Sequence, residues 1–128
     1  MELSRHFRRL EEDARMDPVQ VVQEFIDAVN ARDVDRVVGC FSADGVLQDD
    51  AVNIFARGEG ALSEHFGHFI AQSPNLHAEI PNRIHVGSWV VEVEYTTGLV
   101  LEEPVPDFHI ISAYRVDDGK IVKCMGLQ

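Results

Sequence analysis

The segment VLQDD, residues 46 to 50, ends on two adjacent carboxylates, Asp49 and Asp50. A carboxylate at the edge of an apolar space is shielded from water, its pKa rises toward neutrality, and it can then take a proton from a substrate or return one. Strand alternation sends neighbouring side chains to opposite faces, so Asp49 is the one expected to face inward and Asp50 to be exposed. Two further carboxylates, Glu92 and Glu94, lie two apart in WVVEVEYTT. They share a strand face with Val90 and Thr96, while Trp89, Val91, Val93 and Tyr95 share the other. By hydropathy pattern alone the glutamates face water. If they face inward with Asp49 instead, three carboxylates in one space cannot all ionise cheaply, and the site would hold both a base and a neutral acid. Asp49 is then the base and Glu92 or Glu94 the acid. On the next strand Phe108, Ile110, Ser112 and Tyr114 share a face, where Ser112 and Tyr114 would donate hydrogen bonds to a substrate.

Other reactive side chains carry weaker signals. His65 and His68 lie three apart on a helical stretch, but no third ligand has suitable spacing, so no metal site is expected. His85 and His109 fall on outward positions of their strands. Arg57 and Arg83 read as solvated or ion-paired. The two cysteines, Cys40 and Cys124, are far apart and read as reduced core thiols. The chain has no glycine-rich phosphate loop, nucleophile elbow or Cys-His pair, so neither a nucleotide cofactor nor covalent catalysis is expected.

These residues need elements to hold them. Asp17-Pro18 is a strong helix start, and Val21, Val22, Phe25, Ile26 and Val29 form the buried face of a helix ending near Asn30. Asp33 caps a second, short helix that buries Val34, Val37, Val38 and Phe41, and Asp44-Gly45 is expected to turn the chain into VLQDD. Residues 51 to 60 read as a loop or short irregular strand. Gly60 precedes a third helix burying Leu62, Phe66, Phe69 and Ile70, which Ser73-Pro74-Asn75 stops. The period then changes from helical to alternating over HAEIPNRIHV, Trp89 to Thr97, Asp107 to Val116 and Lys120 to Leu127. Asp118-Gly119 supplies the positive φ angles of a tight hairpin between the last two. Helices first and an antiparallel sheet after them make an α+β arrangement. Residues 1 to 16, with a thin apolar stripe of Leu3, Phe7 and Leu10, read as an N-terminal helical extension to one domain over 17 to 128.

The 128 residues suit one core, and 45% hydrophobic with 26% charged residues is a globular composition. No apolar run approaches the ~20 residues that cross a bilayer, and the N-terminal stretch does not read as a secretory signal, so a cytoplasmic protein is expected. A formal charge of −11 disfavours nucleic acid and anionic membranes as partners.

Taken in order, VVQEFIDAVNARDVDRVVGCFSADGVLQDD, Gly60-Ala61-Leu62, HVGSWVVEVEYTTG and YRVDDGKIVK resemble the superfamily that contains nuclear transport factor 2, ketosteroid isomerase, the SnoaL-like polyketide cyclases and limonene epoxide hydrolase. The resemblance covers roughly residues 17 to 127. It implies a cystatin-like, cone-shaped barrel, a curved and mostly antiparallel sheet wrapped around three helices, with an apolar pocket inside and a homodimer formed through the sheet's outer face. It places Asp49 where ketosteroid isomerase has its general base, Phe25 where that enzyme has an oxyanion-donating tyrosine, and Ser112 near its neutral aspartic acid. It also turns Val90, Glu92 and Glu94 toward the pocket. The acidic and basic set of the epoxide hydrolases falls on Glu94, Thr96 and approximately Gly126, so that reaction is not expected. The implied protein is a cofactor-independent isomerase, cyclase or lyase acting on a small hydrophobic carbonyl or polyketide-like compound. Asp49, Glu92 and Glu94 would be catalytic, and Phe25, Val90, Phe108, Ile110, Ser112 and Tyr114 would contact substrate. Two alternatives stay open: a non-catalytic binder of an apolar ligand, and an assembly protein using the face of Trp89, Val91, Val93 and Tyr95.

Overall fold

Asp17 and Pro18 begin helix α1 (Pro18–Asn30) as their chemistry dictates: the Asp17 side chain accepts the Val19 amide at 2.9 Å, and Pro18 occupies the first turn, where no amide hydrogen is needed. The computed structural model describes residues 17 to 49 and 53 to 127. The expected extension with Leu3, Phe7 and Leu10, and the expected exposure of Asp50, lie outside the described residues. Helix α1 buries Val22, Phe25, Ile26, Ala28 and Val29. After a left-handed Arg32, Asp33 caps the short helix α2 (Val34–Gly39) by accepting the Arg36 amide at 3.1 Å.

Phe41 does not belong to that helix. Strand β1 (Phe41–Asp49) starts there, because Phe41 pairs in parallel with Ile121 and the Cys40 carbonyl accepts the Ile121 amide at 2.8 Å. Asp44-Gly45 is accordingly no turn but an irregularity inside β1, between the pairs Phe41↔Ile121 and Val46↔Lys123. Gly45 suits it, since a Cβ there would press at 3.0 Å on the Phe41 side chain. Strand β2 (Ile54–Arg57) returns antiparallel to β1, and helix α3 (Gly58–Gln72) begins three residues before the expected start at Ala61 and stops before Ser73. Strands β3 (His77–Val86), β4 (Trp89–Thr97), β5 (Phe108–Asp117) and β6 (Lys120–Leu127) follow as an antiparallel run. Asp118 and Gly119 take φ of 50° and 73° in the β5–β6 turn, as the dipeptide requires.

The strand order is β2-β1-β6-β5-β4-β3, with β1 and β6 parallel and every other neighbouring pair antiparallel. This corrects the expected cone-shaped barrel. The sheet is open, ending on β2 and β3, which do not pair with each other; closure would require a hydrogen-bonded ladder between them. The edge strands are suited to that position: β2 is four residues long, and β3 carries Pro81, without an amide hydrogen, at its register irregularity between Glu79 and Asn82. The α+β class stands, with three helices and six strands among the described residues. The helices pack on one face, where Phe25 meets Phe41, Phe66 and Tyr114 edge-on at ring distances of 5.6 to 5.7 Å. Asn30 ties α1 to the edge strand, donating to the Ala78 carbonyl at 2.9 Å and accepting its amide at 2.8 Å.

Candidate active site

Strand β4 decides which way its glutamates point. Val90, Glu92 and Thr96 are buried on the helix-covered face and Glu94 is half-buried beside them, while Trp89, Val91, Val93 and Tyr95 lie half-buried on the opposite face. The pattern-only expectation of solvated glutamates is therefore replaced by the orientation that the resemblance implied.

The two glutamates then diverge. Glu92 is only 1% exposed, and its cross-strand partner Arg83 donates from Nε to Oε2 at 2.7 Å. Arg83 also reaches Gln23 Oε1 on α1 at 2.8 Å, so the pair belongs to a three-residue network pointing toward the β3 edge. Among the described residues Glu92 Oε1 is buried without a hydrogen-bond partner, and nearby Tyr114 favours the ionised form of the carboxyl. Burial pushes the Glu92 carboxyl above the ordinary range, opposed by the hydrogen bond and charge of Arg83.

Glu94 instead faces a cavity of about 1340 Å³ between the helices and the inner sheet face. Phe25, Ile26 and Val29 of α1, Phe66 and Phe69 of α3, and Phe108 and Ile110 of β5 supply apolar walls, and exposed Phe55, Leu101 and Glu102 stand at its rim. Thr96 donates from Oγ1 to Glu94 Oε2 at 2.9 Å. Burial raises the Glu94 pKa, the Thr96 hydrogen bond opposes this, and the charge of Glu92 adds to it. Ser112 and Tyr114 also line the cavity. Burial foremost, then the nearby Cys124, Glu94 and Glu92 charges, pushes the Tyr114 hydroxyl well above its usual pKa, so it stays a phenol and a donor.

Of the residues expected to contact substrate, Phe25, Phe108, Ile110, Ser112 and Tyr114 line this cavity. Val90 does not; it is fully buried in the core cluster with Phe25 and Tyr114. Asp49 sits at the end of β1, where its carboxylate accepts the Asn53 amide at 3.1 Å and the Asn53 side-chain amide at 2.6 Å. Its neighbours Leu47 and Gln48 line the cavity and Asp49 does not. The three carboxylates thus do not converge: Glu94 is at the cavity, Glu92 turns to Arg83, and Asp49 is engaged in the β1–β2 connection.

His65 joins the wall without having been singled out for it. It stacks on Phe55 at 6.4 Å and contacts Phe66 and Phe69, and burial, then His68, lowers its pKa. A signal existed: His65 lies at i+3 from Leu62, on the apolar stripe of α3. Among the described residues, no group of three or more His, Cys, Asp or Glu is arranged to hold a metal. Cys40 and Cys124 are free and buried, with burial pushing Cys40 up to about 11 and Cys124 higher. Among the described residues no helix is long and apolar enough to cross a membrane.

An open sheet backed by helices, with a large apolar cavity carrying a half-buried carboxyl, defines an α+β pocket fold. The SnoaL-like domain model matches residues 22 to 124, and the chain belongs to that family, within the wider superfamily of nuclear transport factor 2 and ketosteroid isomerase. No curated protein sequence matches it. Among solved structures it is similar to an uncharacterized cystatin-fold protein of Novosphingobium aromaticivorans (TM-score 0.81, 23% identity, covering 87% of this chain and 97% of that one). It is also similar to a putative polyketide cyclase of Sinorhizobium meliloti (0.68, 18%, 84% and 93%) and to an epoxide hydrolase of M. tuberculosis (0.71, 18%, 86% and 80%). At these identities the likeness is one of fold.

Proposed function

We propose that the chain is a cofactor-independent enzyme of the isomerase, cyclase or lyase type, acting on a small hydrophobic carbonyl or polyketide-like compound by proton transfer through Glu94. The observation that carries this reading is a carboxyl with raised pKa on the wall of a large apolar cavity, beside the Tyr114 and Ser112 hydroxyls. Protonated, Glu94 donates; ionised, it abstracts a proton, and the apolar walls keep water from levelling its basicity. Tyr114 and Ser112 offer hydrogen bonds to an oxygen that gains negative charge as the proton leaves carbon. Glu92 acts from behind, its charge adding to the pressure on Glu94. Family membership and the likeness to a putative polyketide cyclase are consistent with this chemistry.

The Kemp elimination of 5-nitrobenzisoxazole tests it, since that reaction reports a carboxylate base in an apolar site without requiring knowledge of the natural substrate. The protein is expected to accelerate it, with a rate that rises with pH as Glu94 loses its proton above the usual carboxylate value of 4.5. Glu94→Gln should lose roughly a hundredfold, the scale of one positioned base. An unchanged rate in Glu94→Gln overturns the assignment, and binding without any acceleration favours the non-catalytic binder.

We further propose that the chain pairs with a second copy through the outer sheet face. Ile84, Val86 and Ile111 are 63%, 69% and 46% exposed, and they stand in register with Val91, Trp89 and Val93. A contiguous apolar face of this kind is what association covers.

A further inference from the structure

We infer that the cavity ranks its ligands by charge, taking hydrophobic compounds whose polar end is neutral or basic, a basic one most readily, and excluding those that carry a carboxylate. This rests on the reading of the cavity as the ligand site. Among the described lining residues, the ionisable side chains are Glu64, Glu94, Glu102, His65, His68, Tyr114 and Cys124, and none is Lys or Arg. Arg83, on the neighbouring edge strand, is committed to Glu92 and Gln23 and is not part of the lining. Arg32 is likewise committed, donating to the Ile70 and Ser73 carbonyls at 2.6 and 2.8 Å.

A carboxylate ligand entering this space would lose its hydration, meet Glu94 as a like charge and find no lysine or arginine among the described lining residues to compensate it. An ammonium meets the reverse. Glu94 supplies the counter-charge, Glu64 and Glu102 supply the same sign in the lining, and Phe25, Phe66, Phe69 and Phe108 make the lining rich in aromatic rings, whose faces attract a cation where they are presented to it. An uncharged alcohol or ketone lies between, accepting or donating through Tyr114, Ser112 and Thr96 at no electrostatic cost. The cavity's own charges therefore rank three ligands of one shape.

Calorimetry of the whole chain with 1-naphthylmethylamine, 1-naphthalenemethanol and 1-naphthoate, in 0.3 M salt to screen the long-range field of the acidic surface, tests the ranking. The amine is expected to bind at least about tenfold tighter than the carboxylate, with the alcohol between them and serving as the measure of an intact cavity. Glu94→Gln is expected to shrink the ratio of amine to carboxylate affinity by about tenfold. Carboxylate binding equal to amine binding in the wild-type chain overturns charge selection while leaving the cavity as a ligand site. An undiminished ratio in Glu94→Gln overturns Glu94 as its source. If none of the three binds, the cavity reading falls and this inference falls with it; Kemp elimination then reports separately on Glu94.

Discussion

Glu92 and Glu94 are separated by one residue on one strand, yet they do different work because their surroundings differ. Glu94 has a threonine hydroxyl and an open cavity; Glu92 has a guanidinium. The raised Glu94 pKa has a consequence for stability with a definite sign. A folded-state carboxyl pKa above the unfolded one means that its favourable contribution is complete below the unfolded pKa and is lost as pH rises through the folded value. Glu94→Gln should therefore melt at a higher temperature than the wild type at pH 8, with the gap closing at pH 4; a gap that is constant with pH would show that the carboxyl is not strained by burial. At the ion pair, Arg83→Met leaves Glu92 buried without its cation and should cost roughly 3 kcal/mol in urea unfolding. The double variant Arg83→Met/Glu92→Met should recover most of that loss, since no lone charge is left inside. Equal losses in the single and double variants would mean that packing, not charge, dominates there.

Elements are held to one another by a few side-chain to backbone bonds that local propensity does not announce. Asn30 satisfies both backbone groups of Ala78, on an edge strand that has no further strand beside it. Asn30→Ala should destabilise the chain by about 2 kcal/mol, the cost of leaving buried polar groups unmade, and hydrogen exchange at the Ala78 amide should rise with it. Gly98, with φ of 73°, closes against the Asn75 carbonyl, and a Cβ there would fall well inside van der Waals contact distance of that oxygen. Its backbone also lies where only glycine is unstrained, so Gly98→Ala should lower stability by roughly 1–3 kcal/mol or more. The segment it starts carries Leu99, Leu101 and Leu101's neighbour Glu102 into the cavity lining, pinned by Ser73 Oγ, which donates to the Val100 carbonyl and accepts its amide at 2.9 Å. The position of one cavity wall thus depends on a buried serine just beyond α3.

At the scale of the molecule, one sheet face is spent on core and cavity and the other keeps an apolar surface. Light scattering should give a mass near twice 14.4 kDa, and Ile84→Asp, at a site already 63% exposed, should return the monomer without unfolding it. A wild-type mass of 14.4 kDa would remove the dimer from the proposal. The open sheet makes that face broad and accessible, whereas a closed barrel would have curved it away.

Signals that act over a few residues were legible in the chain itself. Asp17-Pro18, Asp33, Asp118-Gly119 and the change of period after Pro74 each set local backbone geometry, and each is found where its chemistry places it. The resemblance implied the inward turn of Glu92 and Glu94, and strand alternation grouped Phe108, Ile110, Ser112 and Tyr114, which line the cavity together with Phe25. What only the tertiary structure decided depends on which partners the paired strands bring beside a residue. Phe41 leaves its helix because Ile121, eighty residues on, offers a strand to pair with, and the sheet stays open because its edges are short or interrupted. Asp49 is held by Asn53 and Glu92 by Arg83 on the adjacent strand, so Glu94 alone of the three carboxylates is left on the cavity wall. A carboxylate's type and spacing specify what it can do, but its pKa and its access to a ligand come from the groups that folding brings beside it.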